Sequence, residues 1–456
     1  MMANDSQSNV DMMIKNPKKA LIRMSIPLIV SLLISSFYNL IDAAWVSGLG
    51  ADALAGVGFF TPIFMILVGF GNGLGAGAAY ALSKYLGEEN KQKADNASIH
   101  SILIDIIVSI VLTVILLIFL NPILDMMGAG QTAGYATDYG VIILTCSILI
   151  ILSNALYGIY RGEGDTTRPM YAMAASAILN MILDPIFIYT LNLGVKGAAI
   201  ATLISSTFVI VILAYWFYIK KDTYLKPVLD NFNFKRDISK DIVKVGIPAS
   251  IQLLNNAFFA AVFSALLAFV GSTDSVAVYS TGWRVVTIGT TPLLAIGTAL
   301  ISVIAANYGA KNYKNIQIAH RYAMKVSIVI AIIVMVLTNV FAADIASVFA
   351  SSGTSVRIAP ELTTFLAWIV IYYPTMAVGV ASTYVFQGIG EGLTSMFQTI
   401  MRETGFTILF AVLFSIFLDF GVWGAWMGIV LGEVVSNNIT MIWADWRIKK
   451  LMDTNG

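Results

Sequence analysis

The sequence predicts an all-α integral membrane fold, with twelve transmembrane helices arranged as two pseudo-symmetric six-helix lobes. Three observations carry that expectation. Of the 456 residues, 58% are apolar and 12% charged, and the mean hydropathy of +0.82 lies far outside the range of soluble chains. Apolar runs of twenty or so residues recur along the chain, each long enough to cross a hydrocarbon core of about 30 Å. Short motifs of the first half return in the second at nearly constant spacing.

The runs, in order, are 20–46, 53–82, 97–120, 136–158, 168–190 and 196–219, then 242–270, 277–306, 321–347, 359–386, 396–418 and 422–446. Transmembrane β-strands would show short alternating segments, and these stretches are too long and too continuously apolar for that. The first twenty residues are polar and carry no signal-peptide core, so the first spanning helix is expected to serve as the targeting segment. The stretch from Lys220 to Lys244 is the one long charged interruption. It divides the chain into a tail (1–19), an N-lobe (20–219), a linker (220–241), a C-lobe (242–446) and a second tail (447–456).

Lys and Arg set the orientation. They gather before the first run (Lys15, Lys18, Lys19, Arg23), between the second and third (Lys84, Lys91, Lys93), in the linker, and between the eighth and ninth (Lys311, Lys314). The alternate loops hold little that is basic beyond Lys196 and Arg357. The positive-inside rule therefore predicts a plasma-membrane protein with both termini and the linker cytoplasmic.

Ile26-Pro27 returns as Ile247-Pro248, and Thr61-Pro62 as Thr291-Pro292. Arg161-Gly162-Glu163-Gly164 returns as Gln387-Gly388-Ile389-Gly390, and Gly194-Val195-Lys196-Gly197-Ala198 as Gly421-Val422-Trp423-Gly424-Ala425. With six spans per half the repeats are parallel, an arrangement found in secondary transporters that rock one half against the other.

Few acids lie more than three residues inside the runs: Asp42, Asp105, Asp184, Glu403 and Glu433. An intramembrane acid costs about 2.5–3.5 kcal/mol on insertion scales and marks a functional site by default. Asn180 and Asp184 share a helix face, as do Tyr38 and Asp42. Pro185 cannot donate to the carbonyl of Met181 and so frees an acceptor beside the carboxylate. By depth, Tyr38, Asp42, Tyr139, Asn180, Asp184 and Thr202 converge on one proton or cation site in the outer part of the first half. The repeat maps Asp42 onto Phe263 and Asp184 onto Phe410 or Ala411, so the scaffold is duplicated but the acids are not. Asp105 is expected to snorkel to the cytoplasmic surface or to pair with a group such as Lys84, and Arg402 with Glu403 to form a surface pair. Glu433 is a second candidate acid.

In the second half, Gln252, Asn255, Asn256, Phe259, Trp283, Tyr373 and Met376 suit an adaptable pocket for flat amphipathic molecules, with Arg284 lining it or facing an acid across the interface. A net charge of +1 gives no support for a nucleic-acid partner. Cys146 is the single cysteine, and neither His100 nor His320 belongs to a metal-ligand pattern. No nucleophile–base pattern marks an enzyme, and no repeated filter-like loop marks a channel.

Ser25-Ile26-Pro27 ahead of Tyr38-Asn39-Leu40-Ile41-Asp42 resembles the first helix of the MATE (multidrug and toxic compound extrusion) transporters. Asp52-Ala53-Leu54-Ala55-Gly56-Val57-Gly58 resembles the start of their second helix, and Arg161-Gly162-Glu163-Gly164-Asp165-Thr166-Thr167-Arg168-Pro169-Met170 their helix 4–5 signature. The resemblance implies export of organic cations and drugs against an inward H⁺ or Na⁺ gradient, with the family's acidic and polar positions at Asp42, Asn180, Asp184, Thr202 and Tyr139. The second-half helices 7 and 10 carry no carboxylate beyond Glu361 at the very start of the tenth run, so the chain is similar to the DinF-like branch. The expectation is thus a monomeric antiporter around a central cavity, with no cofactor beyond the coupling ion. Na⁺, if used, would sit at Asp42, Asp184, Asn180 and Thr202, and Pro27 and Pro185 would serve as hinges. The nearest rival is a lipid-linked precursor flippase of the same two-lobe architecture, which would want several cavity Arg or Lys residues.

Overall fold

In the computed structural model, residues 3–227, 232–349 and 353–455 are described, and among them no strand occurs. The helices are α1 (Ala3–Lys15), α2 (Pro17–Ser47), α3 (Ala51–Gly87), α4 (Lys91–Met126), α5 (Ala133–Thr145), α6 (Ser147–Gly162), α7 (Thr167–Pro185) and α8 (Val195–Ala214). The second half holds α9 (Arg236–Val270), α10 (Thr273–Gly309), α11 (Tyr313–Val340), α12 (Ala342–Phe349), α13 (Ala359–Ile369), α14 (Tyr372–Gly388), α15 (Gly392–Ile400), α16 (Thr407–Val412) and α17 (Gly421–Asn455). Among the described residues ten helical stretches are long and apolar enough to span a membrane, and two bent pairs, each counted as one span, bring the number to twelve.

Both bends have a place in the chain. The α5–α6 pair turns by 53° at Cys146, and α13–α14 by 49° at Val370 and Ile371. Pro374 lacks the N–H that would bond to the carbonyl of Val370, which accounts for the second break. The first has no proline or glycine to explain it. Asparagines start the helices at the basic-loop end: the side-chain oxygens of Asn16 and Asn90 accept from the N–H groups of Lys19 and Lys93 at 3.3 and 2.9 Å. Each satisfies one of the orphan donors of a first turn.

Three apolar cores show how the halves meet. One contains buried residues of both halves, from Met13, Leu82 and Tyr160 to Ile242, Ile301 and Ile448. The other two are each confined to one half, around Phe60 and Ile143 and around Phe263 and Trp426. The halves are therefore packed together at the basic-loop end and separate at the other. Close approach at the shared end depends on small residues of α3. A Cβ on Gly77 would stand 2.9 Å from the backbone nitrogen of Gly246, and one on Gly73 2.7 Å from the Cα of Ser250. With glycine there, α3 and α9 touch backbone to backbone.

One sequence expectation needs correction, and the first tail has a structure of its own. Within it residues 3–15 form a helix: Val10 and Met13 are buried, and the carbonyls of Met13 and Ile14 accept from Asn307 and Asn315 at 2.8 and 2.6 Å. Lys84 does not meet Asp105; it binds Asp241 at 2.6 Å, leaving Asp105 buried with Ser101 at 3.5 Å. The linker is docked on the first half, where the buried Glu163 accepts the N–H groups of Tyr224 and Leu225, both at 3.0 Å.

Candidate functional site

The first polar cluster lies toward the end where the halves are apart. Asp184 is fully buried near the end of α7, and the helix runs past Pro185 into a wider π-turn, Ile186–Thr190. With its amide oriented to satisfy its neighbours, Asn180 donates to Asp184 Oδ2 at 2.9 Å and accepts from the Thr202 N–H at 3.2 Å. Asp42, half-buried on α2, comes within hydrogen-bonding reach of Asp184. The hydroxyls of Tyr38 and Tyr139 approach Thr202, and the Tyr139 ring packs edge-on against Phe60 at 5.5 Å. All six first-half residues picked out by spacing and depth thus meet in one place. Three of its buried oxygens, Asp42 Oδ1, Asp184 Oδ1 and Thr202 Oγ1, have no hydrogen-bond partner. Oxygens of that kind suit a proton or a hard cation.

The second feature is a cavity of about 520 Å³ between the halves, within the range of small-molecule sites. Gln252, Asn256, Phe259, Trp283 and Met376 line it. Phe259, Trp283 and Tyr372 form a continuous aromatic wall, with ring centroids 6.4 and 5.3 Å apart along it. Three residues expected there are elsewhere. Arg284 is exposed on another face of α10. Tyr373 is buried in the second-half core, where its hydroxyl accepts from Thr338 at 3.5 Å. Asn255 lies behind the wall and holds a cavity residue in place, donating to Glu403 Oε2 at 3.1 Å while accepting from Thr404 at 2.8 Å.

Arg402 and Glu403 are not a surface pair. Both line the cavity, and Arg402 is only 6% exposed. They lie on a π-helical stretch, Met401–Phe406, whose wider turn is marked by Thr407 Oγ1 donating to the carbonyl of Arg402. Glu403 accepts from Arg402 at 2.8 Å and, with its amide suitably oriented, from Asn256 at 2.5 Å. Glu433 accepts from Asn437 at 2.8 Å and faces Arg402 at 3.9 Å. Sequence reasoning also passed over Arg161, which lines the cavity from the first half. A lone acid inside the last span needs a cation at matching depth, a signal that could have found Arg402.

Among the described residues no group of His, Cys, Asp and Glu could hold a metal ion through three or more ligands. The geometry is that of a two-lobed membrane carrier with a central cavity and a separate acidic pocket. The MatE family model matches residues 27–186 and again 248–413, and the chain belongs to this family of membrane transporters. It is 27% identical to the FAD transporter of Shewanella oneidensis over 78% of each chain. It is 26% identical to the multidrug export protein MepA of Staphylococcus haemolyticus over 93% of this chain and 92% of that one. Among solved structures, a MOP superfamily transporter from Pyrococcus furiosus is 36% identical over 97% and 98% of the two chains, with a TM-score of 0.94. An outward-facing multidrug resistance MATE family transporter is 36% identical over 98% and 99%, also at 0.94.

Proposed function

We propose that the chain is a monomeric plasma-membrane antiporter that exports organic cations and amphipathic drugs in exchange for H⁺ or Na⁺, coupled through Asp42 and Asp184. The observation that carries this reading is the pairing of those two carboxyls inside the spans, with one buried oxygen of each and the Thr202 hydroxyl lacking partners. Both acids are ionised while substrate enters the central cavity from the cytoplasmic, basic-loop side. Protonation from outside, or Na⁺ held by Asp42, Asp184, Asn180 and Thr202, then neutralises them. Loss of charge alters the packing of α2 against α7, with Pro27 and Pro185 as hinges, and the halves rock to release substrate outward. The multidrug export proteins among the relatives support the substrate class. Uptake of a fluorescent cationic dye into inverted vesicles, with the pH and Na⁺ gradients imposed one at a time, tests it. Export driven by neither gradient would sink the antiport reading.

A further inference from the structure

The halves meet at the basic-loop end along two seams, and among the described residues ion pairs cross only one of them. Where α3 and α4 meet α9, Lys84 of the first half binds Asp241 of the second at 2.6 Å, and Lys93 binds Asp237 at 3.0 Å. The other seam is where α2 meets α10 and α11. There Lys18 of the first half lies over the Tyr322 ring of the second, 5.7 Å from its centroid. Around that contact Lys18, Lys19 and Arg23 on α2, and Arg321 and Lys325 on α11, are all exposed. Among the described residues none of the five makes an ion pair. Asp445, whose charge Arg321 feels, is itself faced by His320 at 3.5 Å.

The internal repeat shows what the second seam lacks. The shift that carries Pro248 onto Pro27 also carries Asp237 onto Asn16 and Asp241 onto Ala20. The cations are there and the acids are not. The positive-inside rule accounts for their side of the membrane, but not for their standing unpaired on both flanks of a seam. Arg23 and Lys325 each lie about 5 Å inside an apolar run, so their side chains reach back toward the headgroup layer. Beyond them both helices expose apolar side chains to the bilayer: Ile26 and Val30 on α2, Val329 and Ile333 on α11.

We propose that this seam binds an anionic phospholipid, its phosphate held between the cations of α2 and α11 and its acyl chains laid along those four apolar side chains. The lipid supplies the anion that Asp237 and Asp241 supply across the other seam, and so joins the halves there. Guanidinium and ammonium donors suit a phosphate approached from two sides. A zwitterionic lipid brings its own cation to the same place and gains little. None of this depends on what the carrier exports.

Phosphatidylglycerol, or phosphatidylcholine with the same acyl chains, is titrated into the detergent-solubilised full chain, and the lipid-bound fraction is read by native mass spectrometry. The wild type should bind phosphatidylglycerol about tenfold or more tightly, the scale of two cations at one anionic headgroup. Lys19→Gln with Arg23→Gln should remove that preference, and so should Arg321→Gln with Lys325→Gln, because the phosphate is held from both halves. Lys19→Arg with Arg23→Lys should keep it, which separates charge from packing damage. Lys235→Gln with Lys240→Gln, an equal loss of charge at the start of α9, should leave it unchanged. Equal wild-type affinity for the two lipids, an equal loss in the Lys235 and Lys240 variant, loss in the charge-preserving variant, or dependence on the cations of one half alone would each overturn the proposal.

Discussion

Replacing Asp184 by Asn changes charge and little else. The side chain keeps its size and one oxygen, so the 2.9 Å bond to Asn180 has an acceptor after substitution. The net loss on folding should stay within about 1 kcal/mol, the worth of a typical hydrogen bond, and removing an intramembrane charge offsets part of it. Transport is another matter. If the cycle turns on an ionised state that costs about 2.5–3.5 kcal/mol in the membrane, fixing the neutral form removes that difference. At 1.4 kcal/mol per tenfold, gradient-driven efflux should fall by about 10². Asp42→Asn should behave alike, and the double variant no worse than either, since the two carboxyls are within reach of each other and act as one unit. The assay is dye uptake into inverted vesicles, with equal amounts of protein of normal thermal stability. Wild-type rates with unchanged pH and Na⁺ dependence in both variants would refute first-half coupling, and Glu433 would be the next acid to replace.

Three more predictions concern other parts of the molecule. Single cysteines at Lys226 and Gly130, in a background without Cys146, should be labelled from opposite sides of the membrane, and labelling from one side would end the twelve-span topology. Phe259→Ala or Asn256→Ala should shift drug resistance compound by compound, since both side chains line the cavity; an equal loss for every compound points to folding damage. Glu163, outside the spans, has its carboxyl pushed up from 4.5 to about 8, chiefly by burial, with the Leu225 N–H bond pulling the other way. The folded state then holds a proton that the unfolded chain has released, so stability falls as pH rises from about 4.5 to 8. Glu163→Gln should flatten that fall in thermal unfolding measured at pH 5 and pH 8, and identical slopes would rule the linkage out.

What the sequence made legible follows from how each signal is encoded. The spans are written as unbroken apolar runs, so all of them were visible, including α4 and α11, which carry no distinguishing motif. The first-half cluster was visible because helical spacing fixes faces and span length fixes depth: Asn180 and Asp184 could not avoid each other. The bend at Cys146 was not, because no proline or glycine marks it and packing decides it. Arg402 and Glu403 were misread for a similar reason. Adjacent charges near a span's start resemble a surface pair, and only the π-turn and the amides of Asn255 and Asn256 bring them into the cavity. Arg161 was hidden inside a motif noted only as an internal repeat and a family signature.

The short helix α1 lies against its own half through α2 while two asparagines of the other half, Asn307 and Asn315, hold its last carbonyls. It is a strap across the seam. Rocking the halves apart at that end must break those two bonds or drag α1 along, and bonds worth about 1 kcal/mol each are weak enough to yield on every turnover. Helix α1 therefore lies across the seam between the halves, tied to one by packing and to the other by two bonds. A bulky tag fused there would weigh on the hinge side of the cycle, whereas the same tag after α17 would leave the strap free to release.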